Sequence, residues 1–243
     1  MELRSAILFV VLLFPESQVS SPAREEYAAG SRAFEQRDYQ QAQQHFQQVT
    51  RLAPEWAPGW KALGVTLALQ NDIDAAEPPL RKACELSPSE PDACYYLGRG
   101  LYARDRFAAA RKVFQALLAT DPAPARIEEA IAQAEEGLGD SDDAERWYRK
   151  AAEREPQRRA LGLGRFLLRQ GRLSEGLVWL KRAVQYEPES EQARFALGRA
   201  YLEAGLADQA INELRKAVRL EPQNDAARRL LQKALSQRAA DRR

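Results

Sequence analysis

Residues 197–222 read LGRAYLEAGLADQAINELRKAVRLEP, and the spacing of their small and apolar residues decides the fold. Leu197, Gly198 and Tyr201 fall at i, i+1 and i+4, one stripe of a helix. Ala210, Leu214 and Ala217 fall at i, i+4 and i+7, the stripe of a second helix. Gly205 between them suits the left-handed residue that closes a helix, and Pro222 ends the second one. Small residues on both stripes let two helix axes approach to about 8–10 Å. The large Leu214 then fills the space beside the crossing. The segment is an antiparallel helix pair.

The pair recurs along the chain. Pro54, Pro88, Pro122, Pro156, Pro188 and Pro222 are spaced 34, 34, 34, 32 and 34 apart. Counting back 24 from each gives Gly30, Gly64, Gly98, Ala132, Gly164 and Gly198, all small. Counting back 12 gives Ala42, Ala76, Ala110, Ala144, Gly176 and Ala210, again small. Counting back eight gives Phe46, Leu80, Phe114, Tyr148, Leu180 and Leu214, all large. Asn71, Gly139, Gly171 and Gly205 share the turn column. Such a pair cannot bury its apolar face alone, so neighbours must stack; a period of this length is the mark of a solenoid.

Trp60-x2-Leu63-Gly64-x2-Leu67, with Ala76-x3-Leu80 and Pro88, resembles the tetratricopeptide repeat. The resemblance covers six units, about residues 23–56, 57–90, 91–124, 125–156, 157–190 and 191–224, with a capping helix over 225–236 and a basic tail over 237–243. It implies an all-α fold, a right-handed superhelical solenoid of antiparallel helix pairs. Departures from the pattern carry their own expectations. Glu26 stands where a large apolar residue belongs, and Tyr27 substitutes one position later. Pro78-Pro79 predicts a kink or a late start in the second helix of repeat two. Glu128 and Glu135 occupy normally apolar positions of the shortened fourth repeat, whose first helix should pack least well. Ala227, Leu230, Leu231 and Ala234 make the stripe of the cap, where Gln232 replaces the small crossing residue.

The composition excludes several functions. The chain has 36 Lys+Arg against 35 Asp+Glu, so it lacks the basic footprint of a dedicated nucleic-acid binder. Two cysteines and the lone His45 are too few for a thiolate metal site. The nucleophile elbow, the phosphate-binding loop and the H-E-x-x-H zinc motif are all missing from the sequence. Gly162-Leu163-Gly164 begins like a dinucleotide fingerprint without its third glycine. The reading is a non-enzyme with no cofactor, no metal, no nucleic acid and no small-molecule substrate.

Arg4 precedes the apolar run from Ala6 to Phe14, which Pro15 breaks. Its nine residues make roughly 14 Å of helix against about 30 Å of bilayer hydrocarbon, too short to span but suited to a secretory signal over 1–22. Ser20, Ser21 and Ala23 are the cleavage candidates. Export to the periplasm or outside is the expectation, with an uncleaved membrane tether as the alternative. Export would let Cys84 and Cys94 pair, the other reading being two small packing residues.

The resemblance further implies that first helices line a concave groove for a protein or peptide ligand. By position this gives Lys61, Tyr95, Tyr96, Arg99, Tyr102, Arg165, Arg169, Phe195 and Arg199. Position nine of the repeats reads Ser31, Val65, Arg99, Gln133, Arg165 and Arg199, so the family's Asn-based clamp for chaperone C-termini is not assembled. Repeat four interrupts the arginine stripe with Glu129, Gln133 and Glu136. Arginine pairs with carboxylates and lies on rings, so the expected ligand is an extended or acidic segment. The function this implies is a scaffold in envelope assembly, a monomer or weak oligomer. The alternative is a self-associating structural component of a larger complex.

Overall fold

The computed structural model describes residues 19–87, 91–119 and 124–241, so most of the expected signal segment and the last two residues of the tail lie outside it. The described residues form thirteen helices and no strands. They fall into two compact units, Met1–Asp121 and Pro122–Arg243. The first unit holds α1 (Ser21–Glu35), α2 (Tyr39–Leu52), α3 (Ala57–Leu69), α4 (Ile73–Leu86), α5 (Pro91–Ala103) and α6 (Phe107–Leu117). The second holds α7 (Pro124–Leu138), α8 (Ser141–Arg154), α9 (Pro156–Arg169), α10 (Leu173–Tyr186), α11 (Glu191–Glu203), α12 (Ala207–Leu220) and α13 (Asp225–Asp241). Within each unit odd and even helices pair antiparallel, and each pair packs on the next.

The columns explain the pairing atom by atom. A Cβ added to Gly30, Gly64, Gly164 or Gly198 would come within 2.5–2.9 Å of Phe46, Leu80, Leu180 or Leu214 respectively, and Gly98 faces Phe114 in the same way. Each glycine is the floor on which its own repeat's large residue lies. In repeat four Ala132 and Tyr148 share one cluster of buried residues. The turns follow suit: Gly139, Gly171, Gly205 and Asn71 all have positive φ, and so do Arg37 and Asp105, which complete the column with residues that favour this conformation less.

Counting back 28 from each proline reaches the position where the repeat pattern wants a large apolar residue: Glu26, Trp60, Cys94, Glu128, Ala160 and Arg194. Here the structure solves six problems separately. Glu26 accepts a hydrogen bond across to His45 Nδ1 at 2.7 Å, while Tyr27 fills the vacated space against Phe46 and Trp56, with ring centroids 5.6 and 4.8 Å away. Trp60 donates its indole N–H to the carbonyl of Pro54 at 2.7 Å. Cys94 forms a disulfide with Cys84, their Cα atoms 4.8 Å apart, joining α5 to α4. Glu128 is fully buried and accepts from Arg154 at 2.9 Å, with Lys150 at 3.4 Å. Ala160 is buried without a polar atom to place. Arg194 donates to the carbonyl of Pro188 and to Glu213, both at 2.6 Å.

Three expectations are corrected. The first helix of repeat four is not the worst packed: α7 buries Ile127, Glu128, Ala130, Ile131, Ala132, Ala134 and Glu135. Glu128 can go inside because α8 brings it two cations. Of the kink or late start expected from Pro78-Pro79, the late start does not occur: α4 runs from Ile73 with Asp72 as N-cap, accepting from the amide of Ala75 at 3.1 Å, and carries both prolines inside the helix. Finally, α13 extends to Asp241, through the stretch expected as a tail. At the other end Ser20 caps α1, accepting from the amide of Ala23 at 3.4 Å, and Ala23 is fully buried.

An ion network recurs at one repeat position. Glu77 of α4 accepts from Arg81 at 2.7 Å and from Arg106 at 2.6 Å. Its counterpart Glu145 of α8 accepts from Arg149 at 2.8 Å and Arg172 at 2.5 Å, and Arg172 also holds Glu175. Hydrogen bonds from Arg81, then Arg106, hold the Glu77 carboxyl below its ordinary pKa; those from Arg172, then Arg149, do so for Glu145. A depressed folded-state pKa gives stability that is present above the unfolded value, about 4.3, and lost as pH falls through the folded one. Glu77→Gln/Glu145→Gln should therefore melt lower than wild type at neutral pH and converge with it under acid conditions. Thermal melts across that range check this; a constant gap would dissociate the network from acid lability.

The disulfide gives a further expectation. A loop this short restricts the unfolded chain by about 2–3 kcal/mol in the chain-entropy account. Cys84→Ser/Cys94→Ser should lose that much in urea denaturation, and a reductant should lower wild type but leave the variant unmoved.

Candidate functional site

In the first unit α1, α3 and α5 turn one face each toward two adjoining cavities. One, of about 370 Å³, is lined by Tyr27, Phe34, Lys61, Val65, Asp92 and Tyr96, among others. The other, about 260 Å³, is lined by Val65, Leu69, Ile73, Tyr96, Arg99 and Gly100, among others. Val65 and Tyr96 belong to both, and Tyr96 is 43% exposed. Gly100 lines the second cavity, and a Cβ there would meet only Ile73, at 3.9 Å. Lys61, Tyr96 and Arg99 thus line open space. Tyr95 is instead half-buried against Phe114, ring centroids 5.9 Å apart. Tyr102 packs on Phe107 and lies under the Arg99 guanidinium, 5.5 Å from its ring centroid. It supports an arginine and lines neither cavity.

In the second unit the acidic residues of α7 do more than interrupt a stripe. Glu136 is gripped through both oxygens by Arg169, whose Nε and Nη2 donate at 2.5 and 2.8 Å, and it also accepts from the Tyr148 hydroxyl at 3.1 Å. Burial, then the Glu136 charge, raises the Tyr148 phenol far above its ordinary pKa, so it remains a donor. Glu129 accepts from Arg159 at 2.7 Å, and its carboxylate lies where Gly162 has no side chain. Gly162 is a clearance residue for an ion pair. These partners are 30 and 33 residues apart, close to one period. Charge complementarity at that offset was the signal available in the sequence.

Arg165 of α9 and Arg199 of α11 are placed differently. Arg165 is half-buried and donates to the backbone carbonyl of Gln192 at 3.4 Å; among the described residues it has no carboxylate partner within ion-pair distance. Burial, then the charges of Arg199 and Arg169, lower its pKa. Arg199 turns its Nε toward Glu203, one turn along α11, with a carboxylate oxygen 3.5 Å away. Phe195 is half-buried against the cluster of Leu202, Ala210, Ile211 and Leu214. The expected residues therefore divide: Lys61, Tyr95, Tyr96, Arg99 and Tyr102 in the first unit, Arg165, Arg169, Phe195 and Arg199 in the second.

Stacked antiparallel helix pairs define the class of helical-repeat proteins. Family models described as tetratricopeptide repeat match residues 67–135 and 167–234, residues 27–91, and residues 129–158. The chain belongs to the tetratricopeptide repeat family, a scaffold for protein–protein contact. No curated protein matches it in sequence. Its fold is similar to that of PilW, a widely conserved type IV pilus biogenesis factor, with a TM-score of 0.75 at 18% identity over 89% of this chain and 99% of that one. It is similar also to PilF of Pseudomonas aeruginosa, with a TM-score of 0.69 at 15% identity over 87% of this chain and 97% of that one. A chain of the APC/C hetero-tetramer Cut9–Hcn1 gives 0.70 at 17% identity over 88% of this chain, which spans only 43% of the larger protein. At these identities the likeness is one of fold.

Proposed function

We propose that this protein is a non-catalytic adaptor that holds an extended, acidic segment of a partner protein on its first-helix faces, in assembly of the cell envelope. The observation that carries the reading is Arg165, half-buried, repelled by Arg199 and, among the described residues, without a carboxylate within ion-pair distance. A ligand carboxylate would relieve the repulsion and the lost hydration together. The cavities around Tyr96 offer places for apolar and aromatic side chains. A preformed site in either unit lowers the ordering cost of capturing an extended chain. The envelope setting draws support from the short apolar run at Ala6–Phe14 and from the likeness in fold to PilW, a type IV pilus biogenesis factor. Among the described residues no helix is long and apolar enough to cross a membrane.

The test is affinity capture from envelope extract with wild type and with Arg165→Glu/Arg199→Glu and Arg99→Glu, after circular dichroism shows all three equally helical. Wild type should retain a partner that the double variant loses, with the loss growing at low salt. Equal retention by all three would move the binding surface elsewhere.

A further inference from the structure

We infer that the Cys84–Cys94 disulfide is a thiol-exchange site: an external thiol joins Cys84, Cys94 leaves, and the α5–α6 pair is released from α4. The two sulfurs differ in access and in position. Cys94 is only 5% exposed, whereas Cys84 is half-buried and is the one an incoming thiol can reach. Cys84 lies near the end of α4 and Cys94 near the start of α5, their Cα atoms 4.8 Å apart. The positive end of a helix stabilises a thiolate and the negative end does not, so Cys94 is the better leaving group. Asp92 opposes this from the first turn of α5, but it is exposed and screened by water.

The bond closes one end of a seam. The middle of that seam holds the cavity of about 260 Å³, with Ala76 and Leu80 on the α4 side and Tyr96, Leu97 and Gly100 on the α5 side. At its far end Arg104 donates to Asp74 at 2.5 Å and Arg106 to Glu77 at 2.6 Å. Ion pairs at the surface contribute little, and a cavity forfeits packing contacts, so the seam depends on its covalent end. Because α6 packs on α5, it follows when α5 moves away. Opening removes the α5 wall of the cavity.

The chemistry balances with thiols alone. The incoming thiol gives up its proton, and its thiolate attacks Cys84 Sγ. A bond forms between those sulfurs as the Cys84–Cys94 bond breaks, and Cys94 departs with the electron pair and takes up the released proton. A second external thiol attacks the mixed disulfide, which frees Cys84 and leaves the two external sulfurs joined. Two electrons thus pass from the external thiols to the chain. The inference stands apart from the adaptor reading and from the arginines of the second unit.

The oxidised full chain is exposed to reduced glutathione, quenched and digested in acid, and the adduct is located by mass spectrometry. Glutathione should sit on Cys84 roughly tenfold more often than on Cys94. Equal or reversed occupancy would overturn the assignment of the two sulfurs. Hydrogen exchange is then followed peptide by peptide in the oxidised chain, in the chain reduced with dithiothreitol, and in Cys84→Ser/Cys94→Ser. Amides of α5 and α6 should exchange at least roughly tenfold faster in the reduced chain and the variant, while α1 and α2 keep their protection. Dithiothreitol should change nothing in the variant. A disulfide that yields to dithiothreitol only when the whole chain unfolds would sink the inference, and so would acceleration spread evenly over the first unit or no acceleration at all. The reduced wild type carries the same test should the variant not fold.

Discussion

Phe114→Ala should lower the stability of the first unit by about 3–5 kcal/mol, because the ring is fully buried and its removal leaves a cavity. The informative part is its partner. Gly98 lies directly beneath the ring, and a Cβ there would collide with it. Gly98→Ala alone gains up to about 1 kcal/mol of helix propensity but forces a packed ring to move, at about 1–3 kcal/mol. In the double variant the methyl enters space the ring has left, so the collision vanishes and the propensity gain remains. Gly98→Ala/Phe114→Ala should therefore lose clearly less than the two single losses added together. Urea denaturation followed by circular dichroism measures all four corners of the cycle. Additivity within about 0.5 kcal/mol would mean that the two residues do not share the space assigned to them.

Glu213→Ala should destabilise the second unit by a similar amount, about 3–5 kcal/mol, for a different reason. Arg194 and Glu213 are only 10% and 11% exposed, and their pair is closed at 2.6 Å. Glu213 also accepts from Asn212 at 3.1 Å and Lys216 at 3.3 Å, while Arg194 holds the carbonyl of Pro188. Removing the carboxylate strands a buried guanidinium, and that desolvated charge makes up most of the loss. Arg194→Met/Glu213→Leu removes both charges and keeps the volume, so it should fall within about 1 kcal/mol of wild type. If both variants lose equally, the pair matters for shape and its charges do not.

The sequence makes some of this legible and conceals the rest, for identifiable reasons. Columns defined by size survive projection onto one dimension: Gly64 and Leu80 show a small and a large residue at a fixed offset, and they meet. The turn column is half visible. Gly139, Gly171 and Gly205 announce a positive φ, but Arg37 and Asp105 adopt it without the residue type that signals it. Charges mislead most. Glu128 and Glu136 look like a solvated or interrupting face because the cations that answer them, Arg154 and Arg169, lie 26 and 33 residues away in the chain. The same distance hides which arginines of the expected groove are already engaged. Tyr95 and Tyr102 occupy groove positions of the repeat, yet each is taken up by a neighbouring ring.

The six unlike residues at the apolar position, from Glu26 to Arg194, bear on how such a chain finds its own structure. Arrays of near-identical parts are prone to pairing out of register and to exchanging segments between molecules, since any repeat can dock on any other. Here a helix carrying Arg194 has its carboxylate in α12, the one bearing Glu26 finds its imidazole in α2, and Cys94 can be satisfied only by Cys84. A shifted alignment would bury a charge against the wrong partner or leave a thiol unmatched. Four of the six positions, those of Glu26, Cys94, Glu128 and Arg194, thus carry an address, and mispairing there is penalised by desolvation or an unmatched thiol where a uniform array would have no means of detecting it.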